Sequence, residues 1–137
     1  MASTYSTSLR IQLIATGEQP GTWGNTTNTN LGTLIEQAIT GYKAISVAGL
    51  TTYTLTNLNG VSDEARNAVL SFTGALSGNC TVTAPAVNKV YIVNNATTGG
   101  YSIVMTTGAG TTVAVPAGQT YIVYSEDRKS TRLNSSH

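Results

Sequence analysis

The chain has 137 residues and is poor in most of what enzymes use for chemistry: one cysteine, one histidine, one tryptophan, one phenylalanine, and only 9% charged residues. The single cysteine, Cys80, cannot form an internal disulfide, so the fold must hold by packing. The single histidine, His137, is the last residue. Without a histidine elsewhere a serine triad has no base, and Cys80 has no partner to raise its thiolate fraction. The Cys/His cluster that zinc requires is missing, so neither a metal nor a cofactor is expected. Before residue 126 clustered Lys and Arg are missing too, which argues against nucleic acid and anionic membrane surfaces as partners. No apolar run approaches the ~20 residues that span a bilayer. The opening MASTYSTSLRIQLIATG lacks the basic start and long apolar core of a signal peptide. Membrane insertion is therefore not expected.

The last twelve residues, Glu126 to His137 (EDRKSTRLNSSH), resemble the translation of a common short-read sequencing adapter. Residues 126–137 are accordingly read as an artefactual, disordered tail, with the natural chain expected to stop being visible at about Ser125. Setting the tail aside removes the histidine, three basic residues and two acidic ones. Four basic residues (Arg10, Lys43, Arg66, Lys89) and four acidic ones (Glu18, Glu36, Asp63, Glu64) remain, so the net charge is zero. Low charge with abundant Thr, Ser, Gly and Asn suits a protein whose surface is covered by neighbours or repeated in an assembly.

Two regions precede the tail and form one structural unit. Residues 1–41 carry an apolar stretch (Leu9, Ile11, Leu13, Ile14), a turn-rich loop, and then Leu31, Leu34, Ile35, Ala38 and Ile39 at helical spacing. Asn30 is placed to cap that helix and Gly41 to stop it. Its apolar stripe must dock, either on the domain's own sheet or on equivalent helices in an oligomer. Residues 42–125 read as short Val/Ile/Thr/Tyr-rich strands around 43–48, 52–57, 67–73, 79–84, 89–94, 101–106, 111–115 and 120–125. Between them lie Asn59-Gly60, Ser77-Gly78-Asn79, Thr98-Gly99-Gly100, Gly108-Ala109-Gly110 and Ala117-Gly118, which suit tight hairpin turns. The pattern predicts a mainly-β domain, a small antiparallel β-sandwich or barrel-like unit, preceded by one amphipathic helix. An internal echo, TVTAPAVNKVYIV (81–93) against TVAVPAGQTYIV (112–123), reads as one hairpin solution used twice. The nearly continuous apolar runs Val90–Val93 and Tyr121–Tyr124 suggest burial on both faces.

Candidate chemistry is sparse. Asp63 and Glu64 are adjacent in a polar loop (NGVSDEARN) with Arg66 nearby, which reads as solvated and not as a facing glycosidase pair. Gly108-Ala109-Gly110-Thr111-Thr112 lacks the lysine and third glycine of a phosphate loop. An enzyme is not expected. Seven tyrosines against one phenylalanine suit half-packed, half-wet positions, including subunit contacts and sugar-binding surfaces. Trp23 is read as pinning its loop. The residues proposed for interface or packing are Trp23, Leu31, Leu34, Ile35, Ile39, Tyr91 and Tyr121.

The block LRIQLIATGEQPGTWGNTTNTNLGTLIEQAITGY (9–42) resembles the N-terminal region of tail-fibre-like structural proteins of tailed bacteriophages. Thr16-Gly17-Glu18-Gln19, Gly21-Thr22-Trp23-Gly24 and Thr29 to Ile39 carry the likeness. Ala65-Arg66-Asn67 and Asn94 to Tyr101 extend it with less specificity. The resemblance implies the virion-proximal part of a tail fibre, assembled in the host bacterial cytoplasm, with other virion proteins as partners and commonly a homotrimer. The alternative is a non-catalytic module that binds bacterial surface glycans through exposed Tyr and Asn on loops such as 96–101.

Overall fold

The computed structural model describes residues 3–108 and 111–126, together with the backbone of 130–136. His137 and the Ala109-Gly110 part of one expected turn lie outside the described residues. A two-stranded ladder, β1 (Thr4–Tyr5) with β2 (Gln12–Leu13), opens the chain. The helix follows as one continuous rod: α1 (Trp23–Thr29), a π-helical segment (Asn30–Ile35) and α2 (Glu36–Thr40). It begins earlier than expected, with Thr22 and not Asn30 at the N-cap position. Asn30 lies within the rod. Its amide instead clasps the Gln12 backbone, accepting from the N–H at 3.1 Å and donating to the carbonyl at 2.8 Å.

Gly41 does end the helix, though not through left-handed backbone, since its φ is −66°. The reason is space: a Cβ at Gly41 would collide with the Gln37 carbonyl and Asn67 Oδ1. The chain can leave the helix here only because no side chain stands in the way.

Eight strands then form the domain: β3 (Tyr42–Ser46), β4 (Thr52–Thr54), β5 (Val69–Ala75), β6 (Cys80–Thr83), β7 (Lys89–Thr98), β8 (Ile103–Thr106), β9 (Val113–Val115) and β10 (Thr120–Ser125). They build two sheets, β11-β10-β7-β5-β3 and β4-β6-β8-β9, where β11 is Ser130–Ser136. The fold is thus mainly β, two-layered, preceded by a helix, and not closed into a barrel. Its sheets are mixed, not wholly antiparallel. From β3 to β8 the chain alternates between them, so β3, β5 and β7 run parallel in one sheet and β4, β6 and β8 parallel in the other. The offset is 23 residues in both sheets (69 to 92 and 80 to 103), so each circuit of chain consumes the same length. The preceding circuit is longer (42 to 69, 52 to 81) because it contains the 55–66 excursion.

Most expected hairpins are therefore arches between sheets. Ser77-Gly78-Asn79, Thr98-Gly99-Gly100 and Ala117-Gly118 each carry the chain from one sheet to the other, and only 107–112 joins hydrogen-bonded neighbours, β8 and β9. Positive φ occurs in both kinds of turn, at Gly99 (111°), Gly100 (83°) and Gly118 (79°) in arches and at Gly108 (90°) after β8. The internal echo is likewise an arch used twice, β6 to β7 and β9 to β10. Its two ends meet antiparallel, Tyr91 beside Val123, Ile92 beside Ile122 and Val93 beside Tyr121.

Between the sheets lies one apolar core that includes Ile45, Val47, Leu70, Phe72, Val82, Tyr91, Val93, Ile103, Met105, Val115 and Val123. Cys80 is part of it, and burial raises its thiol above the ordinary range, which leaves it inert. Along β7 burial alternates without a break from Lys89 to Thr98. The expected double burial of Val90–Val93 is not found: Val90 is 47% exposed and Ile92 38%. The tail expected to be disordered supplies β11, antiparallel to β10. Without it β10 would be a bare edge, whose free N–H and C=O groups accept any extended segment of suitable length.

Candidate functional site

The 55–66 excursion folds back so that Asp63 becomes the centre of a buried ionic cluster. Asp63 heads a short 3₁₀ turn (Glu64–Arg66), where its Oδ1 accepts from the Arg66 backbone N–H at 2.8 Å. Its Oδ2 accepts from the Leu58 N–H at 2.7 Å and from Arg10 Nη2 at 2.9 Å. Arg66 Nη1 stands 3.4 Å from Oδ1, and the side chains of both Arg66 and Asp63 are completely buried. Every donor group of Arg66 is engaged: Nε with the Leu9 carbonyl (2.8 Å), Nη2 with the Leu58 carbonyl (2.8 Å) and Nη1 with that of Val61. Arg10 reaches the carboxylate from backbone at φ +54°, an unusual conformation for a residue with a side chain. The cluster ties the N-terminal segment to the excursion with charge-assisted bonds.

The reading of Asp63 as a solvated loop residue is thereby overturned. The neighbouring Glu64 is structural as well: it accepts from the Thr56 N–H (3.0 Å) and from Tyr53 Oη (2.7 Å). Burial, then the Glu64 carboxylate, pushes the Tyr53 hydroxyl up to about 12. The local signal for this turn was slight: Asp is a favoured N-cap residue, but Arg66 stands where a capping box would have Glu or Gln. Nothing local pointed to Arg10, 53 residues away in sequence.

Lys89 lies at the margin of the cluster, almost covered, with Nζ 4.7 Å from the Tyr91 ring centroid and 3.3 Å from the Val90 carbonyl. Burial, reinforced by Arg10, brings its amine down to about 8. Between pH ~8 and ~10 the folded amine has lost its proton while the unfolded one, at its ordinary 10.5, keeps it. The unfolded state then binds more protons, so stability rises with pH across that window. Above ~10 the sign reverses, since Tyr53 and Tyr91 hold their protons in the fold after unfolded tyrosines have ionised. The ring contact and the carbonyl offset part of the burial cost, leaving about 1–2 kcal/mol. Urea midpoints at pH 7, 8, 9 and 10 should therefore climb, and Lys89→Met should flatten the climb while raising stability at pH 7.

Beside the cluster a polar recess of about 280 Å³ is lined by Gln37 of α2, Lys43 of β3, Thr56, Ser62, Asp63 and Glu64 of the excursion, and Asn67 just after it. Gln37 Nε2 donates to Ser62 Oγ at 2.8 Å, whereas its Oε1 is buried and unpartnered. Among the described residues, no group of three or more His, Cys, Asp or Glu side chains could share a metal ion.

The seven residues proposed for interface or packing divide. Tyr91 is fully buried, its hydroxyl donating to the Ala65 carbonyl at 2.6 Å, and Tyr121 packs against the same core from the adjacent strand. Leu34 is fully buried and Ile35 half-buried, while Leu31 (59%), Ile39 (70%) and Trp23 (60%) are exposed. Trp23 opens the helix and does not pin a loop. The π segment accounts for the split stripe: its wider turn breaks the 3.6-residue period that would have brought Leu31, Leu34 and Ile39 to one face. On the 96–101 segment Thr97 is buried, whereas Ala96, Thr98, Gly99, Gly100 and, at 37%, Tyr101 are exposed, so the loop does present the expected tyrosine. The flanking Asn95 is fully buried.

No protein-family model matches the chain, and no curated protein or solved structure matches it either.

Proposed function

We propose that this chain is a structural component of a phage virion, the virion-proximal part of a tail-fibre protein that mediates assembly and attachment, and that it is not an enzyme. The observation that carries the reading is how its few charges are used. Asp63, Arg66 and Arg10 hold the fold together, Glu64 braces the same excursion, and the thiol of Cys80 is buried in the core. Meanwhile Trp23, Leu31 and Ile39 stand in water on a helix whose only charged residue is Glu36. Exposed apolar side chains on a rigid, nearly neutral helix favour contact with other subunits. Other virion proteins and two further copies of the chain, a trimer by resemblance, are the partners this reading requires. Among the described residues no helix is long and apolar enough to cross a membrane.

The test is to purify particles of the source phage and search them for this chain by peptide mass spectrometry and gold-labelled antibody. Stoichiometric peptides with label at the base of a fibre are expected. Particles free of the chain would sink the proposal.

A second reading, a non-catalytic glycan-binding module, draws on the recess. The lone acceptor Gln37 Oε1, the Lys43 amine and the Ser62 hydroxyl offer the mixed polar contacts that a sugar ring satisfies. On that reading chemical-shift changes on titration with host surface polysaccharide map to Gln37 and Lys43 and vanish in Gln37→Leu.

A further inference from the structure

The outward face of the larger sheet differs from that of the smaller one in a way that folding alone does not require. Pairing registers place Tyr42, Val69, Ile92 and Ile122 side by side, one row running straight across β3, β5, β7 and β10. Val90 and Tyr124 form the neighbouring row. Five of the six point away from the core, because their sequence neighbours Leu70, Tyr91, Val93 and Val123 are buried inside it, and Tyr42 shares that side through its pairing with Val69. Tyr42 is 63% exposed, and Val69, Ile122 and Tyr124 are half-buried. On the other flank the row is bounded by Thr120, Asn94 and Ser71, which satisfy one another: Thr120 Oγ1 donates to Asn94 Oδ1 and Asn94 Nδ2 to Ser71 Oγ, each at 3.1 Å.

The outward face of the smaller sheet serves as an internal comparison. Its corresponding row is Thr52, Thr81, Val104 and Ala114, all small and half of them polar, as expected of a sheet face in water. Only one of the two outer faces carries bulky apolar rows.

We propose that the Tyr42–Val69–Ile92–Ile122 face is a self-association surface, occupied by the same face of a second copy of this chain. No outward residue of β3, β5, β7 or β10 is charged, so two copies approach without like-charge repulsion, and no charge is present to select a different partner. A two-fold axis along the strands lays Tyr42 of one copy over Ile122 of the other and Val69 over Ile92, matching large to medium side chains along the row. Four strands about 4.8 Å apart, with some seven residues on each, give on the order of 450 Å² per copy. The resulting total of about 900 Å² lies below the ~1,200 Å² at which stable specific interfaces begin and fits a weak, micromolar dimer strengthened by assembly. The inference rests on the sheet face and not on the virion reading.

Sedimentation equilibrium of the full chain from about 1 to 300 µM is the test. A dimer with micromolar Kd is expected; a chain that forms only trimers overturns the proposal, because a two-fold face pairs copies. Ile92→Lys and, independently, Tyr42→Lys should each weaken it tenfold or more without moving the thermal midpoint by more than a few degrees. Thr81→Lys, on the opposite face, should leave it unchanged. A chain that stays monomeric throughout overturns the proposal, as does unaltered association of both the Ile92→Lys and Tyr42→Lys variants. Loss of association in Leu31→Lys alone would place the contact on the helix and overturn it too.

Discussion

Replacing Asp63 by Asn should cost about 3–5 kcal/mol of folding stability, the range seen when one partner of a buried ion pair is removed. The substitution keeps shape and leaves an acceptor for the Arg66 N–H, so the 3₁₀ turn can still form. What disappears is the one negative charge between Arg66, fully buried, and Arg10, nearly so. Two guanidinium groups would then lie out of water with no carboxylate, and Lys89 close by adds to the excess. Against a total of roughly 5–15 kcal/mol for a domain this size, the thermal midpoint should drop on the order of 10–20 °C. Arg10→Met should cost much less, because Asp63 keeps Arg66 and the remaining charges balance. Thermal and urea unfolding of both variants decide the matter: a loss under about 1 kcal/mol for Asp63→Asn would mean that the cluster does not hold the fold.

The same cluster marks where the sequence stops being legible. Strand positions could be read because each strand alternates or clusters Val, Ile, Thr and Tyr between glycine-bearing turns, and β10 falls on 120–125 as expected. Which strands pair could not be read. A glycine at positive φ serves a hairpin and an arch equally, and only distant packing decides whether the chain returns alongside itself or crosses to the opposite sheet. The parallel pairings with their 23-residue offset leave no motif, since each partner is specified by shape and not by identity.

The helix was legible as an element and illegible in its orientation. Leu31 to Ile39 fit a 3.6-residue period, yet the π segment shifts the phase and puts Leu31 and Ile39 in water. For the buried charges, composition was misleading. A run such as Ser62-Asp63-Glu64-Ala65-Arg66-Asn67 is what a solvated loop looks like, and its burial depends on Leu9 and Arg10 arriving from the N-terminal segment. Long-range pairing of this kind has no local periodicity to betray it.

Asn95 carries the second large prediction. It is fully buried on β7, and its Nδ2 donates to the carbonyls of Tyr101 at 3.0 Å and Val115 at 2.9 Å, while Oδ1 accepts from the Thr97 N–H at 3.1 Å and from the Thr97 hydroxyl. One side chain thus joins the larger sheet to β9 of the smaller sheet and to the arch that follows β7. Asn95→Asp is nearly isosteric but replaces the donor with an acceptor that faces two carbonyl oxygens. At neutral pH it buries a charge with nothing to compensate it on that side, and the loss should be about 3–5 kcal/mol. The introduced carboxyl would be driven to its neutral form, so its folded pKa stands above the unfolded value near 3.9. Stability relative to wild type is then best below about pH 4 and falls as pH rises through the folded pKa. Once protonated, the carboxyl can donate to one of the two carbonyls again. Urea unfolding of wild type and variant at pH 3.5 and pH 7 should show the gap between them narrowing in acid. A gap that stays constant with pH would mean that the Asn95 amide does not donate to these carbonyls, and the join between the sheets would have to come from apolar packing alone.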